Sequence, residues 1–284
     1  MSTWLQPEPI DWWNHVEDAV AEDVGFGDVS ASCFPEDLLV EWQIEAQADG
    51  VLSGAGIAEY LLSPAPQDPE RCRVEVRKVD GEAISRGDIL LEGLAVAKRA
   101  LVAERTALNY LMHLSGVATL TSQFVSKVEG TDARIVDTRK TIPGLRTLQK
   151  YAVRCGGGHN HRMGLFDGAM VKDNHIAAMG SITAAVDAIR RYASHMTKIE
   201  VECESVEQVA EAIGARADVI LLDNMDPFMM RDVVRQFKGR CLFEASGGIN
   251  LDTVRGVAQT GVDIISVGAL THSAVGLPLP MEFR

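Results

Sequence analysis

Residues 198–223 read KIEVECESVEQVAEAIGARADVILLD, and this stretch decides the fold. It begins and ends on short apolar runs, KIEVEC and DVILLD. Continuous apolar runs of this length suit strands buried on both faces, as in a parallel sheet. Between them, SVEQVAEAIGAR opens at Ser205 and carries Gln208 three residues on, a capping-box signature at a helix start. The stretch therefore reads as one β–α–β unit.

The same rhythm extends in both directions. Further candidate strands begin at Ala133 (ARIVDT), Gly168 (GAMVKD), Arg240 (RCLFEAS) and Asp263 (DIISVG). Helix starts fall between them: Ser181 as an N-cap, Asp226 followed by Pro227 at the first helical position, and Asn250 opening a helix that stops at Gly261. The last four strands recur roughly every 21 to 22 residues, the repeat of a βα unit. Six such units suit a barrel or near-barrel. No GxGxxG follows the first strand, so an open dinucleotide-binding sheet loses support.

The first half has a different pattern. Residues 42–49 (WQIEAQAD) and 71–80 (RCRVEVRKVD) alternate apolar and polar side chains, as half-buried antiparallel strands do. Residues 81–93 form a turn and strand, and residues 53–70 a short helix followed by a Pro-rich loop. A long helical stretch over residues 98–128 is expected to break near Gly116, where the domain boundary is placed. The chain thus divides into a small α+β domain over residues 1–116 and a (βα) barrel over residues 117–273. Residues 274–284 are expected to return to the first domain.

The 284 residues are 46% hydrophobic and 24% charged, a globular composition with no apolar run long enough to span a membrane. The acidic N-terminal segment does not resemble a signal peptide. Five scattered cysteines without a CxxC suit a reduced, cytoplasmic protein. A net charge of −13 argues against nucleic acid or an anionic membrane as partner. Yet residues 138–172 hold seven basic residues and one acid, a local excess that points to an anionic small-molecule ligand.

Chemistry in such a barrel sits at the C-terminal ends of the strands. Those ends carry Asp137-Thr138-Arg139-Lys140, Lys172, Glu202, Asp223, Glu244 to Gly248, and Gly268. Glu202 and Asp223 suit a divalent cation or vicinal hydroxyls. Arg139, Arg162 and Lys172 suit carboxylates or phosphates. Ser246-Gly247-Gly248 before a helix start, with Gly268 and His272, suits a phosphate. The stretch CGGGHNHR, from Cys155, allows a zinc reading through Cys155, His159 and His161, but without the usual ligand spacing. It lacks the GK[ST] of a phosphate loop. The remaining reading is a helix ended by glycines, followed by a turn presenting His161 and Arg162. Lys172 on a barrel strand also admits a Schiff-base aldolase.

The residues from Asp137 to Ile176, DTRKTIPGLRTLQKYAVRCGGGHNHRMGLFDGAMVKDNHI, resemble the signature of the quinolinate phosphoribosyltransferase family. AEDVGFGDVS, AERTALNYLMHLSGVAT, IEVEC, LLDNM, EASGGIN and SVGALTHS extend the resemblance in order over nearly the whole chain. It implies an α/β fold, an incomplete (βα) barrel with an N-terminal α+β open-sandwich domain. It also implies transfer of phosphoribosyl from phosphoribosyl pyrophosphate to quinolinate. The products are nicotinate mononucleotide, pyrophosphate and CO2, in NAD biosynthesis, with magnesium (Mg2+) as cofactor. A homodimer is implied, with Arg105 of one subunit completing the other's pocket. Arg105, Arg139, His161, Arg162 and Lys172 then fall to quinolinate, Thr138 to substrate binding and Lys140 to the reacting centre. Glu202 and Asp223 fall to ribose hydroxyls and Mg2+, and Ser246, Gly247, Gly248, Gly268 and His272 to a phosphate. A related molybdenum-transport-associated protein is the nearest alternative within the fold.

Overall fold

The computed structural model describes residues 12–63 and 72–284. Residues 1–11, part of the segment read as lacking a signal peptide, lie outside the described residues, as do the Pro-rich loop 64–70 and Arg71. In chain order the elements begin with α1 (Trp13–Val24), a 3-10 turn (Ala31–Cys33), β1 (Leu39–Glu45), β2 (Gly50–Val51) and α2 (Ala55–Leu62). β3 (Arg73–Val76), β4 (Ala83–Ile84), β5 (Ile89–Val96) and α3 (Ala97–Lys127) follow. Then come β6 (Arg134–Val136), α4 (Arg146–Cys155), β7 (Ala169–Val171), α5 (Asp173–Met179) and α6 (Ile182–Tyr192). The rest are β8 (Ile199–Cys203), α7 (Val206–Gly214), β9 (Val219–Asp223), α8 (Pro227–Phe237), β10 (Leu242–Ser246), α9 (Val254–Ala258), β11 (Ile264–Ser266), α10 (Ala269–His272) and β12 (Met281–Phe283).

Contacts divide the chain into two compact units. The first comprises Met1–Ser122, Ile142–Gly157 and Ser273–Arg284, and the second Gln123–Thr141 and Gly158–His272. This differs from a boundary at Gly116, for a physical reason. The helix does not break there: α3 runs unbroken from Ala97 to Lys127. A Cβ on Gly116 would collide with the Val275 carbonyl oxygen, so this glycine lets the C-terminal segment pack on the helix backbone.

The first unit is built on an antiparallel sheet of order β12-β1-β5-β3. Alternation along β1 and β5 puts Trp42, Ile44 and Leu91 on one face, in a core that Leu111 of α3 and Leu277 and Leu279 of the tail complete. The tail itself pairs with β1, Trp42 opposite Phe283 and Ile44 opposite Met281. α4 joins this unit: Tyr151 Oη donates to Asp80 Oδ2 at 2.8 Å. A Cβ on Gly156, just past the helix end, would strike the Ala118 carbonyl. Gly157 follows with φ +83°, the left-handed conformation that stops a helix. The glycines of CGGG therefore end α4 and seat it.

The second unit is a six-stranded parallel sheet of order β6-β11-β10-β9-β8-β7. Strands β7 to β11 lie in sequence order and β6 pairs with β11, which is barrel order interrupted once, between β6 and β7. That interruption makes the barrel incomplete. It falls at the crossover whose helix, α4, groups with the first unit. His159 forms a parallel bridge with Val136, lining the open edge of β6. Three of the helix starts expected from sequence are capped as read. Ser181 Oγ accepts from Ala184 N–H, Ser205 Oγ from Gln208 N–H and Asp226 Oδ1 from Phe228 N–H. The fourth differs. Asn250 Oδ1 accepts from Asp252 and Thr253 N–H, closing an Asx-type turn, and α9 begins only at Val254. No helix among the described residues is long and apolar enough to cross a membrane.

The packing of Gly116 gives a test of sign. In a solvent-facing helix, Ala for Gly adds about 1 kcal/mol. Here the new methyl must displace tail backbone, and overpacking of that kind costs about 1–3 kcal/mol. Gly116→Ala is therefore expected to lower the urea unfolding midpoint, and a raised midpoint would contradict the close approach.

Candidate active site

Two-residue periodicity sorts the barrel strands into two faces. On β8, Ile199, Val201 and Cys203 share one face and Glu200 and Glu202 the other. On β10, Phe243 and Ala245 oppose Leu242, Glu244 and Ser246. Register extends the sorting across strands: Glu200 aligns with Val219, Glu244 with Leu221 and Ile264, and Ser246 with Asp223. One face is thus apolar. The other carries Glu200, Glu202, Asp223, Glu244, Ser246 and Ser266. A cavity of about 540 Å³ opens on this charged face, with Val136, His161, Arg162, Glu200, Val219 and Glu244 among its walls.

The loop before β7 is anchored by Asp137, which the sequence places at the end of β6 without giving it a role. Asp137 is wholly buried. Its Oδ1 accepts from His161 N–H at 2.9 Å and its Oδ2 from Asn160 Nδ2 at 2.5 Å. His161 and Arg162 are thereby fixed at the sheet edge. Arg162 Nη1 donates to the Gly168 carbonyl at 2.8 Å. Burial, and then the nearby charge of Arg139, push the Arg162 guanidinium below its ordinary range. Two guanidinium groups thus lie close enough to repel each other, an arrangement that an anion relieves.

The His161 ring turns toward the barrel's acids. Nδ1 accepts from the Arg162 main-chain N–H at 2.7 Å, and Nε2 lies 3.1 Å from Glu200 Oε2 and 3.6 Å from Glu244 Oε1. Both ring nitrogens therefore meet protein atoms. The sequence reading places Glu244 at a strand end without a role and does not name Glu200, although strand parity alone places Glu200 on the side of Glu202.

The other residues named from the sequence gather in three groups. Lys172 Nζ pairs with Glu202, tying the ends of β7 and β8. Lys140 N–H donates to Thr138 Oγ1 at 3.0 Å, and its carbonyl accepts from Thr271 Oγ1 at 2.8 Å. A Cβ on Gly268 would sit 3.0 Å from Lys140 Cδ and 3.2 Å from His272 Nε2, so these three residues share one corner. Asp223 Oδ2 accepts from Asn224 Nδ2 at 2.9 Å, and Asn224 N–H donates to the Ser246 carbonyl at 2.9 Å. A Cβ on Gly247 would run into the Asn224 amide, and Gly247 and Gly248 have φ +97° and +60°. The expected helix start beside them does not form, so a helix dipole adds nothing there. Arg105 stands on α3 in the first unit, its side chain 59% exposed. Arg146, Lys150 and Arg154 of the basic stretch lie on α4, also in the first unit, and Lys150 is fully buried. Only Arg139, Lys140, Arg162 and Lys172 of the seven belong to the barrel.

Two metal readings are decided by donor chemistry. Cys155 packs in the first unit with Ala118 and Tyr151, and burial pushes its thiol up to about 11, the opposite of what a zinc thiolate needs. His161, Glu200 and Glu244 bring possible ligand atoms within 4.8 Å of one another. A metal on Nε2 would require the proton on Nδ1, which here faces an N–H donor. That cluster is a hydrogen-bonding group instead. Glu202 and Asp223, at the ends of adjacent strands, form a sparse hard-oxygen set, which fits a cation that keeps water and substrate oxygens as its other ligands.

Residues 28–115 match the quinolinate phosphoribosyl transferase N-terminal domain, and residues 117–282 its C-terminal domain. A probable carboxylating nicotinate-nucleotide pyrophosphorylase of Bacillus subtilis (strain 168) is 42% identical over 261 residues, covering 92% of this chain and 89% of that protein. The carboxylating nicotinate-nucleotide pyrophosphorylase of Mycobacterium leprae is 41% identical over 269 residues, covering 93% and 94%. The crystal structure of nicotinate-nucleotide pyrophosphorylase from Ehrlichia chaffeensis superposes with a TM-score of 0.92 at 36% identity, over 98% of this chain and 100% of that one. With both domains matched in order and the fold shared, the chain belongs to the quinolinate phosphoribosyltransferase family.

Proposed function

We propose that this protein transfers the phosphoribosyl group of phosphoribosyl pyrophosphate to quinolinate, with decarboxylation, in NAD biosynthesis. The observation that supports the reading is the presence in one barrel unit of two guanidinium groups near enough to repel, Arg139 and Arg162, and of two carboxylates ending adjacent strands, Glu202 and Asp223. Quinolinate brings two adjacent carboxylates, and Arg grips such groups through parallel hydrogen bonds. Lys172 joins them by exchanging its Glu202 partner for a substrate carboxylate, which frees Glu202 for the ribose side. Lys140, beside Gly268 and His272, lies where a departing pyrophosphate would be met, with Thr138 holding its backbone. Ser246, Gly247 and Gly248 offer the 5′-phosphate backbone donors in a left-handed turn.

The chemistry then follows from charge. The ribose C1–pyrophosphate bond breaks and the pyrophosphate keeps the electron pair. The carboxylates Glu202 and Asp223 stabilise the positive charge that develops on the ribose. The pyridine nitrogen forms the new bond to C1, leaving a cationic ring. That ring accepts the electron pair released when the adjacent carboxylate departs as CO2, and a proton fills the vacated carbon. Mg2+, held by Glu202 and Asp223, would offset the charge of the pyrophosphate. No covalent enzyme intermediate is required. The ion pair at Lys172 also argues against the aldolase reading, which needs a free amine.

Two outcomes test this reading. Lys140→Ala and Lys172→Ala should each lose at least about a hundredfold in kcat/KM for quinolinate while far-ultraviolet circular dichroism stays unchanged. Near-normal turnover in either variant would remove that residue from the mechanism. The role given to Arg105 requires a homodimer with shared sites. Arg105→Ala and Lys172→Ala, each inactive alone, should recover up to about one quarter of native activity when mixed and allowed to exchange subunits, since a two-fold dimer then holds one intact site. No recovery after demonstrated exchange would place Arg105 outside the partner's pocket.

A further inference from the structure

The barrel interior holds two acids that the mechanism does not use. Glu244 is 2% exposed and Glu200 6%. Both lie on the charged face, one step deeper along their strands than Ser246 and Glu202 respectively. Two carboxylates this close and this dry cannot both ionise at low cost, so one keeps its proton. The geometry says which way the hydrogen bonds run. Nδ1 of His161 accepts from Arg162 N–H, which leaves the ring proton on Nε2, facing Glu200 at 3.1 Å. Glu200 is thus the acceptor. Glu244 Oε1, 3.6 Å from the ring, and Glu200 Oε1 are both buried without a hydrogen-bond partner, in a cluster whose polar atoms lie within 4.8 Å of one another, so a proton on Glu244 is placed to meet Glu200 and completes the set as the donor.

We propose that Glu244 is a positioning residue, the protonated end of a hydrogen-bond chain through Glu200 and His161 to the Arg162 main chain, which sets the arginine pair for its dicarboxylate. Asp137 holds the same loop from the other side through His161 N–H. With the loop pinned at both the His161 backbone and the His161 ring, the Arg162 guanidinium cannot drift from Arg139 to relieve their repulsion. The inference rests on the proposed function and names a role for residues outside its chemistry.

Burial, then the charge of Glu200, hold the Glu244 carboxyl up at about 7. The charged and titratable groups facing it are Glu200 of β8, His161 and Arg162 of the loop, and Asp167 and Lys198 on the cavity wall. A carboxyl whose value is raised keeps its proton below that pH and loses it above. The chain is therefore intact in mildly acidic solution and is broken by repulsion from Glu200 as the pH rises through about 7.

The test measures KM for quinolinate and for phosphoribosyl pyrophosphate, together with kcat, from pH 6 to 8.5. It uses the native protein, Glu244→Gln and Glu244→Leu. In the native protein KM for quinolinate should rise with pH while KM for phosphoribosyl pyrophosphate stays level. Glu244→Gln, whose amide is a permanent donor, should keep the low KM of acidic solution and lose the rise. Glu244→Leu should raise KM for quinolinate about tenfold at every pH, the loss expected for one hydrogen bond to a charged group. A Gln variant as impaired as Leu, or a Leu variant with native KM, would overturn the proposal. Failure of the native protein to consume quinolinate is a separate result, which overturns the function and not this role.

Discussion

The constraint on which the rest depends is charge compensation inside a parallel barrel. On three central strands one face is apolar and the other carries carboxylates: Glu200 and Glu202 on β8, Asp223 on β9 and Glu244 on β10. Carboxylates removed from water need cations, donors or protons. The chain supplies all three. Lys172 meets Glu202, the His161 ring meets Glu200, and Glu244 holds its proton up to about 7. The cations do not come from neighbouring strand interiors. Arg162 arrives, with the neutral donor ring of His161, on a loop whose His159 bridges Val136 of β6, so the gap in the barrel is also where this positive charge enters.

That arrangement explains why so uneven a charge pattern is folded at all. Arg139 and Arg162 repel each other, and the loop carrying Arg162 is held by the buried Asp137 and by the Arg162 Nη1 bond to the Gly168 carbonyl. A site strained in this way before substrate arrives binds an anion with a gain that a relaxed site lacks. The Lys172–Glu202 pair gives the complementary effect. It keeps both groups compensated at the ends of β7 and β8.

Much of this was legible in the sequence because local physics dominates there. The six strands of the barrel follow from short apolar runs at a fixed repeat, and Ser181, Ser205 and Asp226 mark helix starts because their side chains accept from the first-turn N–H groups. Where tertiary contacts decide, the local signal misled. Gly116 reads as a break but serves a close approach by residue 275, a contact across most of the chain. Asn250 reads as an N-cap, yet its side chain closes a turn and the helix begins four residues on. The basic stretch reads as one patch, but its helical part belongs to the first unit. The strand ends carrying Lys172, Glu202 and Asp223 were visible because barrel chemistry concentrates there. Glu244 was read at a strand end but given no role, and Glu200 was passed over because it sits deeper, though period-two parity already put it beside Glu202 on one face.

The central claim is that this charge arrangement selects a pyridine with two adjacent carboxylates. The most direct measurement compares quinolinate with nicotinate as acceptor, at equal concentration, with phosphoribosyl pyrophosphate and Mg2+ present. The account predicts loss of quinolinate matched by CO2 and nicotinate mononucleotide, and no detectable product from nicotinate. Equal or faster use of nicotinate would contradict it.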